Sequence, residues 1–295
     1  MPFRKVLIAL LVMTIFGLNA VMSKLGLAEF PPLLFTLLRF AILLPGVFFI
    51  ARPAMSWSML AAISASLSFG FLLFANMGLW LGASAGTYSF IAQTGTIFAI
   101  GATYLILGNK PSVFDIGGIL LGLIGIYWIC SSDGIEGSIA ALSCLVGSAA
   151  MWGLGFTLVK KAHAPSIPTI VWTSIFVIPP LAIASITFEG TDVIWQSITD
   201  ASLTGWMTIL FSGWVSMLGA GSMMMYLIKT ESVAKVVPYN MLVPVTGCFF
   251  SWLIMNEQLS PNLLFGGSWI LLGLILAQII PQFTVQEKAS PKPNL

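Results

Sequence analysis

The sequence predicts an all-α integral membrane protein of ten transmembrane helices, built as two inverted five-helix repeats with both termini cytoplasmic. Three observations lead there. The 295 residues include only 12 Lys+Arg and 10 Asp+Glu, so 7% are charged and 58% are apolar. A soluble domain carries roughly 25% charge to cover its surface. The apolar residues gather into ten runs, most of them near the ~20 residues that cross a ~30 Å hydrocarbon core. Features of the first five runs recur, in order, in the second five.

The spans run from Val6 to Met22, Leu33 to Ala51, Met59 to Leu81, Ala85 to Leu107, Ile116 to Cys130, Gly137 to Val159, Thr169 to Phe188, Leu203 to Ile228, Val236 to Met255 and Leu263 to Ile280. Each is bounded by a charged or Pro/Ser/Asn-rich break too short for a separate soluble domain. The first span follows Arg4-Lys5 and could pass for a signal peptide. It lacks a small-residue cleavage pattern and is followed by Lys24 and Pro31-Pro32, so it reads as a retained helix. Residues 282–295, with Gln286, Glu287, Lys288, Pro291, Lys292 and Pro293, read as a disordered cytoplasmic tail.

Cations set the orientation. With the N-terminus inside, Arg4, Lys5, Arg52, Lys110, Lys160, Lys161, Lys229, Lys235, Lys288 and Lys292 all fall on the cytoplasmic face, against Lys24 alone outside. That is a strong positive-inside bias. Glu29, Asp133, Glu136, Glu189, Asp192, Asp200 and Glu257 fall outside, which agrees but weighs little. Trp57, Trp80, Trp195 and Trp206 stand at span ends, where an amphipathic ring suits the headgroup layer.

The repeat is legible in matched motifs. Phe16-Gly17-Leu18-Asn19 to Lys24 in span one matches Trp152-Gly153-Leu154-Gly155 to Lys160 in span six; Gly117-Gly118 and Leu120-Leu121-Gly122-Leu123-Ile124 match Gly266-Gly267 and Leu271-Leu272-Gly273-Leu274-Ile275. Five spans is an odd number, so the second copy, residues 133–281, inserts upside down relative to the first, residues 1–132. Inverted repeats with a site near the midplane mark secondary transporters.

These residues also carry a resemblance. Phe16-Gly17-Leu18-Asn19 to Lys24, Pro31-Pro32 leading to Leu38-Arg39-Phe40, and Val237-Pro238 followed by Leu242-Val243-Pro244-Val245 resemble the EamA family of the drug/metabolite transporter superfamily, in particular bacterial exporters of cysteine- and O-acetylserine-type metabolites. The resemblance covers about Val6 to Ile280. It implies a central cavity lined by spans one to four and six to nine, with spans five and ten peripheral. The family often shows Gly-Glu after spans four and nine; here Gly108-Asn109-Lys110 lacks the carboxylate that Asn256-Glu257-Gln258 retains.

Arg39 stands out, about seven residues or ~10 Å into span two. A cation at that depth costs at least about 2.5 kcal/mol unless paired or hydrated, so it faces the bundle interior. It reads either as a holder of a substrate carboxylate or as a brace on backbone carbonyls. The candidate substrate-binding set is Arg39, Asn19, Asn76, Trp80, Tyr88, Gln93, Trp152, Trp214, Tyr239 and Asn240. Each could equally be an interhelical hydrogen bond or packing contact. Lys24 reads as an outer gate or interface anchor, and Pro238 and Pro244 as gating kinks, since proline removes a helix hydrogen bond. The acids lie near span ends, which predicts movement down a gradient or by exchange rather than tight proton coupling.

The expected function is a secondary transporter of the inner membrane that exports small amino acids or related metabolites by alternating access. Its partners are an amino-acid-like small molecule and the bilayer; it acts as a monomer or homodimer, without nucleic acid, cofactor or metal. A formal charge of +2 argues against a nucleic-acid binder, and Cys130, Cys144, Cys248 and His163 show no ligand spacing. Export of hydrophobic drugs or dyes is an alternative, as is a non-transporting scaffold. An intramembrane enzyme lacks the paired acids or Ser/His arrangement its chemistry needs.

Overall fold

A computed structural model describes residues 2–108, 110–130, 139–230 and 239–279, and every regular element among the described residues is a helix. Six helices are long and apolar enough to cross a membrane: α1 (Phe3–Gly26), α3 (Trp57–Trp80), α4 (Ala85–Leu107), α6 (Ile139–Lys161), α7 (Ser166–Glu189) and α8 (Leu203–Met224). The shorter apolar helices are α2 (Pro32–Phe48), α5 (Val113–Ile129), α9 (Leu242–Met255) and α10 (Pro261–Ala277). Pro238 and the 282–295 tail lie outside the described residues.

Several boundaries differ from the sequence reading for local reasons. α1 runs to Gly26, so Lys24 belongs to its last turn rather than to a loop. The break expected after Glu189 contains a further helix, Thr191–Asp200. It is too polar to register as an apolar run. Ile194 and Ile198 pack on the Leu27, Phe30 and Leu34 cluster, while Trp195 is 70% exposed on the opposite side. α2 is α-helical only over Pro32–Ala41 and then tightens into a 3-10 turn at Leu44–Phe48, where Pro45 cannot donate.

α1 packs against α8 and α9, α6 against α3 and α4, α2 against α7, and α5 against α10. Replacing each helix by the one five places on leaves this set of main pairings unchanged. Several irregularities follow the same exchange, although the π segments that close α7 at Ser185–Glu189 and α10 at Ile275–Ile279 have no counterpart among the described residues of α2 and α5. α3 and α8 both widen into π-helical segments, at Ser64–Gly70 and Phe211–Ala220. α4 is interrupted at Thr94, and α9 is preceded by a turn at Met241. α4 closes on Gly108 and α9 on Asn256, each left-handed, with φ of 73° and 53°. Helices commonly end on such a residue, and Gly and Asn are the types that tolerate it.

α5 and α10 sit to one side, joined by glycine. A Cβ on Gly118 would lie 2.6 Å from the Gly273 carbonyl oxygen, and one on Gly125 would lie 2.5 Å from that of Gly266. The close approach runs from Gly118 to Gly125 and takes in the Gly122 backbone, whose nitrogen would lie 3.2 Å from a Cβ on Gly273, while a Cβ on Gly122 itself would meet the Ile97 side chain of α4. Packing of this kind replaces the hydrophobic effect, which does not act between helices in lipid. Gly125→Ala is expected to force the two helices apart and cost about 1–3 kcal/mol. Gly101→Ala, with nothing within 4 Å of the new methyl, should be neutral or stabilising. Melting curves of the two variants in detergent check the contrast, and equal losses would count against the glycine seam.

Candidate functional site

Three carboxylates tie helix ends together at one end of the bundle. Glu29, just after α1, accepts from the Ser202 backbone N–H and hydroxyl, both at 2.7 Å, at the start of α8. Glu189, closing α7, accepts from the first-turn amides of α2, Leu33 at 2.7 Å and Leu34 at 3.0 Å. Glu257, just past α9, accepts from the Ala85 amide that opens α4 at 3.1 Å, from the Ser251 hydroxyl and from the Lys24 ammonium of α1. Each carboxylate occupies the positive end of another helix, where four amides lack intrahelical partners. The sequence reading counted Glu29 and Glu189 only as loop charge and noted Glu257 as the carboxylate retained after span nine.

Lys24 and Glu257 thus join α1, α4 and α9 at what the charge pattern makes the outer end, with side chains only 22% and 14% exposed. The corresponding position of the first half is Asn109, which has no carboxylate to offer and lies outside the described residues. Asp115, in the first turn of α5, is spent on a local cap, accepting from the Ser112 amide and hydroxyl.

Arg39 lies inside, 2% exposed. Its Nη1 reaches the Ser23 hydroxyl of α1 at 3.4 Å, and its guanidinium stands 5.8 Å from the Phe35 ring. Among the described residues its Nε has no hydrogen-bond partner, and neither do Asn19 Oδ1 on α1, Ser212 Oγ on α8, Ser148 Oγ on α6 and Ser166 Oγ at the start of α7. Tyr88 of α4 is within electrostatic range of the guanidinium. Among the described residues no carboxylate pairs with Arg39. A buried cation and buried acceptors left open are costly, and in native structures they are rare enough to need an explanation.

Other candidates are placed elsewhere. The Asn76 amide donates to Thr36 Oγ1 at 2.8 Å, fastening α3 to α2 within the same interior. Trp80 is 53% exposed on the periphery, as befits a headgroup anchor. Trp214 is 55% exposed, and its indole N–H donates to the Ile42 carbonyl at 3.1 Å. Trp172 likewise serves the Ile50 carbonyl at 2.8 Å. These two carbonyls flank the irregular stretch of α2, which in lipid needs donors from its neighbours. Exposure takes Trp80 and Trp214 away from the interior polar group around Arg39.

Gln93 immediately precedes the interruption of α4, and Trp152, stacked on Phe156 at 5.0 Å, packs over Gly95 just beyond it. Tyr239 and Asn240 precede the turn at Met241; Tyr239 packs on Val12, Met13 and Ala220. Pro244 falls in the first turn of α9, where its missing N–H breaks no helix bond, so the interruption lies N-terminal to it. Residues from both interruptions are therefore half-buried polar groups at matched places in the two halves. A cleft of about 460 Å³ between α4, α5 and α6 is lined by apolar side chains such as Ile97, Phe98 and Leu123, with Thr94 as its only polar side chain. It suits acyl chains and lies apart from Arg39. Among the described residues no group of His, Cys, Asp and Glu could hold a metal ion.

Comparison with known proteins decides the lineage. The model of the EamA-like transporter family matches residues 3–131 and again residues 139–278. The chain belongs to the EamA-like transporter family. It is 28% identical over 277 residues to a probable amino-acid metabolite efflux pump of Salmonella typhimurium, covering 91% of this chain and 93% of that one. A protein of the same description from Escherichia coli is 27% identical over 278 residues, with the same coverage. A Bacillus subtilis protein described as the uncharacterized transporter YoaV is 25% identical, covering 92% and 96%. One crystal structure, titled without a function, superposes with a TM-score of 0.61 over 95% of this chain and 99% of its own at 16% identity, a likeness of fold. This EamA-like protein is a multi-pass membrane transporter.

Removing one partner of the Lys24–Glu257 contact is expected to leave the other charge half-buried and unmatched. Glu257→Ala should cost more stability than Lys24→Ala, because it also strips the Ala85 amide and the Ser251 hydroxyl of their acceptor; about 1–3 kcal/mol is expected. A double-mutant cycle read by thermal melting checks this, with a coupling near zero contradicting it.

Proposed function

We propose that this transporter exports small amino acids or amino-acid-related metabolites across the bacterial inner membrane by alternating access between two inverted five-helix repeats, residues 1–132 and 133–281, with both termini cytoplasmic. The observation that carries the cargo reading is Arg39, a cation buried at 2% exposure with an unpartnered Nε and no carboxylate beside it. A carboxylate on the cargo supplies what the protein withholds. Asn19 and Tyr88 stand next to this position, while Gln93, Trp152, Tyr239 and Asn240 line the route at the two interruptions. The names of the Salmonella and Escherichia relatives support the same cargo class.

Lys24 and Glu257 act as the outer latch in this account. The pairing is compatible with a closed outer end, and the missing carboxylate at residue 109 makes the inner end depend on other contacts. The interruptions of α4 and α9 act as hinges, since a helix without its full bond ladder bends at low cost. With Asp115 committed to a cap and Glu257 at the outer end, transport runs on the cargo gradient or by exchange.

Proteoliposomes loaded with L-cysteine, L-threonine or L-homoserine are expected to release at least one of them through the wild-type protein. Arg39→Lys keeps the charge but loses the planar fork, and about tenfold weaker half-saturation is expected with the melting temperature within a few degrees of wild type. Wild-type flux from both a folded Arg39→Lys and a folded Arg39→Ala would end the carboxylate reading. Flux that vanishes without an imposed pH gradient would end the uncoupled one.

A further inference from the structure

We propose that Asn19 and Ser212 form a second half of the cargo site, reading the amino group of the molecule whose carboxylate Arg39 holds. The proposal rests on the export reading above and narrows its cargo to compounds with both a carboxylate and an N–H donor beside it.

The argument starts from depth. Asn19 lies seven residues inside the Gly26 end of α1, and Arg39 seven residues inside the Pro32 start of α2. At 1.5 Å per residue both are about 10 Å from the same end of the bundle. Arg39 Nη1 reaches Ser23, which lies one turn nearer that end than Asn19 and on the same face of α1. α8 runs down beside both helices. A Cβ on Gly26 would meet Thr208 Oγ1 at 2.5 Å, and one on Gly213 would meet the Arg39 carbonyl oxygen at 2.9 Å. Ser212 is one turn deeper than Thr208, on the same face, and is fully buried at 0% exposure. α1, α2 and α8 therefore present Asn19, Arg39 and Ser212 within about one helical turn of one another in depth.

The chemistry of the open valences is the second argument. Of the five unpartnered buried side-chain atoms among the described residues, Ser148 Oγ and Ser166 Oγ belong to α6 and α7, and the three on α1, α2 and α8 are one donor, Arg39 Nε, and two oxygens, Asn19 Oδ1 and Ser212 Oγ. A guanidinium alone would serve any anion. A donor next to neutral acceptors is the complement of an α-amino acid, whose carboxylate accepts and whose ammonium donates. Neutral oxygens hold an ammonium without the deep trap that a buried carboxylate would make, which suits a carrier that must also release its load. The second-half counterpart of Asn19 is Gly155, whose Cβ position is filled by Leu67, so the polar group is one-sided and reads the cargo in one orientation.

The test uses counterflow with the full chain in proteoliposomes. Whichever of L-cysteine, L-threonine and L-homoserine exchanges fastest is compared with its deamino analogue, which keeps carboxylate and side chain but carries hydrogen in place of the amino group. Wild type is expected to need at least tenfold more of the analogue for half-saturation. Asn19→Leu should bring that ratio towards one by weakening the amino acid and sparing the analogue. Ser212→Ala should shift it the same way by less, and Arg39→Lys should weaken both compounds alike. Equal half-saturation of the pair in wild type would overturn the proposal while leaving export standing. So would an Asn19→Leu or Ser212→Ala protein that loses both compounds in parallel. If none of the three amino acids exchanged, the export reading itself would fall, and this site with it.

Discussion

A backbone polar group in hydrocarbon must find its partner inside the protein, and nearly every irregular feature of this fold is a local answer to that demand. α2 stops being an α-helix at Ala41, and the carbonyls of Ile42 and Ile50 are met by the indoles of Trp214 and Trp172. The amides that open α2, α4 and α8 have no earlier turn to bond, and Glu189, Glu257 and Ser202 with Glu29 supply acceptors. Most of the few polar side chains in the interior are consumed this way. Among the described residues five buried side-chain atoms are left over, on Arg39, Asn19, Ser212, Ser148 and Ser166, and the first three belong to the neighbouring helices α1, α2 and α8.

The same demand produces an asymmetry between two halves that otherwise correspond. The π segments of α3 and α8, the interruptions of α4 and α9, their left-handed ends and the main helix pairings map from one half to the other, whereas the π segments that close α7 and α10 do not. The carboxylate that gathers α1, α4 and α9 does not, since its counterpart position holds Asn109. A carrier with matched ends would rest equally well open to either side. In the alternating-access account proposed above, the Lys24–Glu257 latch at one end biases that balance by the few kcal/mol that a half-buried ion pair with two further hydrogen bonds can contribute.

Much of this was legible in the sequence, because hydropathy, cation placement and motif order are one-dimensional signals. The apolar runs, the Phe16-Gly17-Leu18-Asn19 motif and the depth of Arg39 all follow from counting. Contacts made by residues far apart in the chain were not legible. Glu257 and Lys24 are 233 positions apart, and Glu189 and Leu33 are 156 apart. Trp80 and Trp214 illustrate the converse: position in a span does not say which side of a helix faces lipid when aromatic residues occur on all sides. The helix Thr191–Asp200 escaped because its apolar stripe is only Ile194 and Ile198 against the Phe30 cluster.

The central claim is that Arg39 is kept for the cargo rather than for the fold, and melting of the purified protein with and without saturating amino acid tests it most directly. A charge held without a counter-ion costs the empty protein stability, so Arg39→Gln should melt at or above the wild-type temperature when empty. Saturating cargo should raise the wild-type temperature and leave Arg39→Gln unchanged. An empty Arg39→Gln protein that melts many degrees lower, yet is still stabilised by cargo as wild type is, would show Arg39 to be a brace and contradict the account.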